Sequence, residues 1–244
     1  MKLLKIFMAA SLLIFAISCK KSQIAAVTPT SDDAAILLAG SLANNNYGMT
    51  NLSMDISNTA SPSGNNILAC GSTIIDSIVR KNTPGNAGSY NYKVKYNNQV
   101  FCNNNSIPDY LINKANYNGN YQGPKLKVTS SGSTNYRVGG LTPTSTVHVI
   151  NGEYKSTTNF KFRSDTTNSG TVNILIAAKD LILSKTNHTI QSGTAMVIIT
   201  GNSTKKSMFT YNGNLSFNNA ASATLKLNGN EYSIDLLTGE AVKN

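Results

Sequence analysis

The sequence predicts a mainly β protein: an antiparallel meander, built as a large twisted or curved sheet, preceded by one N-terminal helix over about residues 31–43. Three observations carry that expectation. Long stretches alternate apolar with polar residues; the dipeptide Asn-Gly recurs between them at 118–119, 151–152, 212–213 and 228–229; and only one segment combines a helical apolar repeat with end caps. Alternation puts every second side chain of a strand on one face. Asn-Gly supplies the two positive φ angles of a tight hairpin turn at the lowest cost.

The helix reads from TSDDAAILLAGSLANNNYG, residues 30–48. Thr30 or Ser31 can cap it, and Asp32 and Asp33 fall in the first turn, where the helix dipole favours negative charge. Ala35, Leu38 and Leu42 share one face, and the NNNYG run can adopt the left-handed conformation that ends a helix. Helical character continues weakly through MTNLSMDIS. From about residue 65 the signals are for strands. SYNYKVKYNNQVFC sets Tyr90, Tyr92, Val94 and Tyr96 against Asn91, Lys93 and Lys95, and Asn97-Asn98 then offers a two-residue turn. STVHVINGEY places Val147 and Val149 on one face, with His148 between them. GTVNILIAAKDLILS, residues 170–184, is apolar on both faces, as a central strand would be. GTAMVIITG, SMFTYNGNLSFN and ATLKLNGNEYSIDLLTG close the chain in the same style. A tyrosine follows Asn-Gly at short range in three places, Tyr121, Tyr154 and Tyr232, which suggests cross-strand aromatic packing; the alternative is a row of exposed rings forming a binding face. No long Pro- or Gly-rich linker interrupts the body, so residues 31–244 read as a single β-rich domain.

The start of the chain has a different character. Lys2 and Lys5 precede an apolar block from Ile6 to Ile17, long enough for the core of a secretory signal and short for a bilayer span. Ala16, Ile17 and Ser18 then lead into Cys19. This resembles the lipobox of bacterial lipoproteins. The resemblance implies removal of residues 1–18 as a lipoprotein signal peptide, diacylglyceryl transfer to the Cys19 thiol, and a flexible tether over residues 19–30; an ordinary cleaved signal with an incidental cysteine and a retained anchor are the alternatives. Each buried methylene of an acyl chain contributes about 0.8 kcal/mol, so two or three chains hold a protein stably on a membrane. Lys20 and Lys21 lie where they could meet anionic head groups. Of the three cysteines, lipidation of Cys19 leaves Cys70 and Cys102, an even pair in an oxidising compartment, and hence an expected disulfide.

The net charge is +10, and charged residues make up 13% of the chain, well below the roughly 25% of ordinary domains. The basic residues are dispersed, among them Arg80, Lys93, Lys125, Arg137, Lys161 and Lys226, with no nucleic-acid-binding motif beside them, so nucleic acid is not an expected partner. An anionic envelope surface or an apolar ligand fits better. Chemistry-bearing patterns are sparse. His148 and His188 have no metal-ligand spacing, and His188 reads as a turn residue. Ser192-Gly193-Thr194 lacks a nucleophile elbow and reads as loop. Asp180, Glu231 and Asp235 are the carboxylates a glycosidase pair would draw on, with Glu231, Ser233 and Asp235 sharing one strand face, a solvated one by default. No phosphate loop, dinucleotide fingerprint or calcium loop occurs. The sequence therefore predicts no catalytic, cofactor-binding or metal-binding residue. The stretches DSI at 76–78 and DTT at 165–167 resemble the three-residue O-glycosylation motif of Bacteroidota envelope proteins, on Ser77 and Thr166.

The order of features, ISCKKS, the AAILLAGSLANNNYGM helix, LACGST, the aromatic hairpin into VFCNNN, and the closing YNGNLSF and ATLKLNGNEYSIDLLTG, resembles a group of uncharacterised Bacteroidota lipoproteins. That resemblance implies outer-membrane attachment and a β-rich body, and transfers no catalytic residue. In that phylum an acidic stretch after the cysteine marks export to the cell surface; Lys20, Lys21 and Ser22 stand there instead, which favours a periplasm-facing location. The expected function is a non-enzymatic binding or scaffolding role through an exposed sheet face or edge. The alternatives are a carrier of a lipid or other apolar ligand, held between the sheet and the helix, and a glycan-processing enzyme.

Overall fold

The computed structural model describes residues 30–61, 68–82 and 88–244. The expected signal peptide, Cys19 and nearly all of the expected tether lie outside them. Two helices, α1 (Ser31–Leu42) and α2 (Met49–Thr59), precede eleven strands: β1 (Thr73–Lys81), β2 (Ser89–Cys102), β3 (Pro108–Gln122), β4 (Leu126–Gly139), β5 (Val147–Phe162), β6 (Ser169–Ser184), β7 (Ile190–Ser203), β8 (Lys206–Phe217), β9 (Ser222–Leu227), β10 (Asn230–Asp235) and β11 (Ala241–Lys243). Each strand pairs antiparallel with its sequence neighbours, in a single sheet that β1 and β11 leave unclosed. The mainly β antiparallel meander is thus observed.

Strand alternation follows the sequence closely. In β2 Tyr92, Val94 and Tyr96 are buried while Asn91, Lys93 and Lys95 are exposed. β6 holds the middle of the sheet and is apolar on both faces, with Val172, Ile174 and Ile176 inward and Leu175 and Ala177 half-buried on the other side. At Asp180 the φ is 51° and the register slips, so the inward set changes phase to Leu181 and Leu183. A bulge at that point shifts the buried face by one residue.

Both helices pack on the inner face. Thr30 caps α1 by accepting the Asp33 N–H at 3.3 Å. Ala34, Ala35, Leu37, Leu38, Ala39 and Leu42 of α1 are all buried, and α2 adds Met49, Leu52 and Ile56 to the same core. The predicted weak continuation of the first helix is a separate helix. The chain breaks at Ala43, makes a short helical turn over Asn44–Asn46, and takes a left-handed residue at Tyr47 (φ 53°) before α2 begins. The Asn44 and Asn45 N–H groups bond Leu236 and Leu237 carbonyls at 2.9 and 3.0 Å, which ties this turn to the β10–β11 connection. The sheet curls far enough round the helices for Lys125, between β3 and β4, to pair with Glu240, between β10 and β11, at 2.7 Å.

Four turn assignments are corrected. Asn97-Asn98 is not a turn: β2 runs straight through it, and buried Asn98 accepts from Asn113 Nδ2 at 2.6 Å in a polar ladder that Thr134 extends. Asn118-Gly119, Asn151-Gly152 and Asn212-Gly213 lie inside β3, β5 and β8. Only Asn228-Gly229 is a hairpin turn, with φ of 49° and 81°. Close approach accounts for the interior glycines: a Cβ on Gly119 would stand 2.4 Å from the Tyr92 ring, and one on Gly132 would stand 2.4 Å from the Tyr117 hydroxyl. Tyr117 and Tyr154, two strands apart, stack at 5.6 Å across that Gly132 gap. Tyr121, Tyr154 and Tyr232 are all buried, so the tyrosines are core packing rather than an exposed face. The Cys70–Cys102 disulfide is present and joins the chain entering β1 to the end of β2.

Candidate functional site

Among the described residues, three places bring chemistry-bearing groups together: a polar cleft at the end of α2, an apolar recess beside α1, and the free edge of β1.

The cleft, about 510 Å³, lies between α2, β1, β2 and the β6–β7 connection. Asp55 of α2 is its hub. Its carboxylate accepts from Arg80 at 2.6 Å, from Tyr96 at 3.2 Å and from Tyr47. The charge of Asp55 adds to burial in pushing the Tyr47 and Tyr96 phenols well above the ordinary tyrosine range. Two residues further along α2, the fully buried Ser57 hydroxyl lies 2.8 Å from His148 Nδ1 and 3.0 Å from His188 Nδ1. A hydroxyl has one proton, so it donates to one ring and accepts from the other. When both rings are neutral, one therefore carries its proton on Nδ1 and the other on Nε2. Burial, reinforced by the positive charge of Lys185 and His188, lowers the His148 pKa to about 4. Ser57 thereby latches α2 to β5 and to the β6–β7 turn, where His188 sits at φ 57°. Neither histidine had a motif to betray it. The only available signal was that His148 occupies the face of its strand opposite Val147 and Val149, which proves to be the buried one.

The recess, about 210 Å³, is walled by Ile36 and Gly40 of α1, Leu126 and Tyr121 of the β3–β4 hairpin, and Asn46. Its rim carries the Lys125–Glu240 ion pair, with both side chains more than half exposed.

At β1 the alternation is visible as edge chemistry. The Asn82 N–H to Tyr90 carbonyl and Val100 N–H to Ser72 carbonyl bonds fix the even residues as those that face β2. The odd residues therefore direct their backbone groups away from the sheet. Their side chains also leave the core: Ile75 is 76% exposed and Val79 57%. Asp76 Oδ1 takes the Ser77 N–H at 2.6 Å. Arg80 pins the strand to α2 through Asp55.

The remaining predicted residues are dispersed. Ser77 and Thr166 are both exposed, on β1 and in the β5–β6 turn. Ser192 and Gly193 are not loop residues; they belong to β7, at an irregularity where Gly193 has φ 141°. Glu231 and Asp235 do share the outer face of β10, but each has a local partner. Glu231 pairs with Lys226 at 3.4 Å, and Asp235 accepts the Leu237 and Thr238 N–H groups at 2.7 and 2.9 Å. Asp180 forms the β6 bulge. Among the described residues no group of three or more His, Cys, Asp or Glu is placed to hold a metal, and no helix is long and apolar enough to cross a membrane. No family model, curated protein or solved structure matches the chain.

Proposed function

We propose that this chain is a lipid-anchored, non-enzymatic protein of the outer membrane, held through Cys19, facing the periplasm, and acting by binding a partner along β1. The observation that carries the reading is the free edge of that strand. A row of backbone donors and acceptors flanked by exposed Ile75 and Val79 is a template for an added strand, and proteins that do not use such an edge usually blunt it. The fitting partner is an extended protein segment, apolar where it meets Ile75 and Val79. It would also carry acidic residues toward exposed Lys81, Lys93 and Lys95. The sheet's inner face is already occupied by α1 and α2, which leaves edge and exterior for partners. Structural duties for Asp180, Glu231 and Asp235 weigh against the glycan-processing reading.

Anchoring is tested by palmitate labelling and membrane fractionation. The wild-type chain takes label and sediments with membranes, whereas Cys19→Ala is unlabelled and soluble; an unlabelled wild type removes the anchor. Edge binding is tested in cells by photo-crosslinking from position 75. A discrete adduct that vanishes in Val79→Pro supports it, because proline deletes an outward N–H that the fold does not use. An adduct unchanged by Val79→Pro contradicts it.

A further inference from the structure

The outward residues of β1 are complementary to themselves. Thr73, Ile75, Ser77, Val79 and Lys81 direct their backbone groups away from β2, and the nine-residue strand is centred on Ser77. In an antiparallel pair, residues that exchange both N–H···O bonds stand directly opposite each other. A second copy docked antiparallel, with its Ser77 opposite this Ser77, therefore brings every outward residue against an outward residue. That register sets Ile75 against Val79 of the copy and Val79 against its Ile75, two cross-strand aliphatic pairs on the exposed face. Sliding the copy by two residues is the smallest step that keeps outward groups facing. It sets Ile75 against Ser77 or Lys81 instead and pairs fewer residues. Hydrogen bonding and apolar matching thus select one register, whose two-fold axis passes through Ser77. The charges agree with it. On the inward face Arg80 of the copy lies diagonally across from Asp76, within reach of a long side chain. Among the described residues Asp76 has no ion pair. Lys95 of β2 lies beside Ser77, so the two Lys95 residues would stand three strand spacings apart, about 14 Å, beyond the ~8 Å Debye length at physiological salt.

We propose that β1 pairs with β1 of a second copy of this chain, so that the edge caps itself when no partner strand is present. The inference rests on the free-edge reading above and adds a competing occupant for that edge. The pairing is weak by size: nine residues a side, against roughly 20–30 in a standard stable interface. The dimer is therefore dissociated in dilute solution and fills as concentration rises, as on a surface that holds copies close together. The copy brings no acid to Lys81, Lys93 and Lys95. An acidic partner strand supplies that complement and displaces it.

The test is cysteine trapping in the purified full chain at rising concentration, oxidised with copper phenanthroline and read on non-reducing gels. Directly opposed residues of a bonded antiparallel pair have Cα atoms about 5.5 Å apart, inside the roughly 4.4–6.8 Å that a disulfide spans. Ser77→Cys is therefore expected to form a linked dimer at least tenfold faster than Thr166→Cys, an exposed turn position that reports random collision. The chain with no added cysteine sets the background. Ile75→Cys and Val79→Cys should each trap poorly alone and at least tenfold faster when mixed. Val79→Pro in the Ser77→Cys chain should slow trapping to the Thr166→Cys rate. Ser77→Cys trapping no faster than Thr166→Cys overturns self-pairing. So does a mixture no faster than its components, or trapping that Val79→Pro leaves unchanged. The edge reading has its own readout in cells, the position-75 adduct. If self-pairing alone fails, that adduct still joins this chain to another protein and still vanishes in Val79→Pro.

Discussion

β6 and β1 are both strands with apolar residues on two faces, and they come to opposite ends. β6 is the sixth strand of eleven, so neighbours on either side satisfy its backbone and its second apolar face is half-covered by adjoining strands. Among the described residues β1 has a neighbour on one side only. Ile74 and Ile78 pack against the core, while Ile75 and Val79 stand in solvent. Similar local patterns thus mean core in one place and unused surface in the other, and position in the sheet decides which. What β1 lacks, among the described residues, is an outer neighbour, and that is the basis for assigning it the partner-binding role.

The largest expected effect separates the two strands by stability. Leu181→Ala in β6 removes a fully buried side chain and is expected to cost roughly 2–5 kcal/mol. Ile75→Ala in β1 should stay within about 0.5 kcal/mol. Urea midpoints at unchanged slope measure both, and comparable losses would break the comparison. Next is the staple at the β1 end. Replacing Cys70 and Cys102 by serine opens a loop with a sequence separation of 32 residues, and the loss should be roughly 3–4 kcal/mol in the chain-entropy model. Unfolding with and without reductant checks it.

A third effect belongs to the helix that pins β1. The pKa of His148 in the fold is about 4, below the ordinary 6.5. The unfolded chain therefore binds the extra proton first. The His148 contribution is fully present above pH 6.5 and is lost as pH falls toward 4, by up to about 3 kcal/mol. Denaturation at pH 7 and pH 4.5 measures the loss, and His148→Gln should flatten that segment of the pH profile. The smallest effect is at the edge: Val79→Pro should change stability by no more than about 0.5 kcal/mol, because its N–H points away from β2.

The strands were legible because alternation is a local fact, and the disulfide because setting Cys19 aside leaves Cys70 and Cys102 as an even pair. The Asn-Gly reading reached the right topology on a wrong premise. At Asn228-Gly229 the dipeptide turns the chain, whereas at Gly119 the missing side chain makes room for the Tyr92 ring lying across it. Nothing within the dipeptide distinguishes these, since the ring belongs to a different strand. The Ser57–His148–His188 latch was invisible for the same reason: its members are 91 and 131 residues apart in the chain.

The central claim, that β1 is an edge awaiting a neighbour, is tested most directly by residue-resolved amide hydrogen exchange in the purified chain and in outer-membrane vesicles. In the purified chain the amides of Ile74, Asp76, Ile78 and Arg80 should be protected and those of Thr73, Ile75, Val79 and Lys81 should exchange rapidly. In the vesicles the second set should become protected as well. Uniform protection of β1 in the purified chain, or an alternation unchanged in the vesicles, would contradict the account.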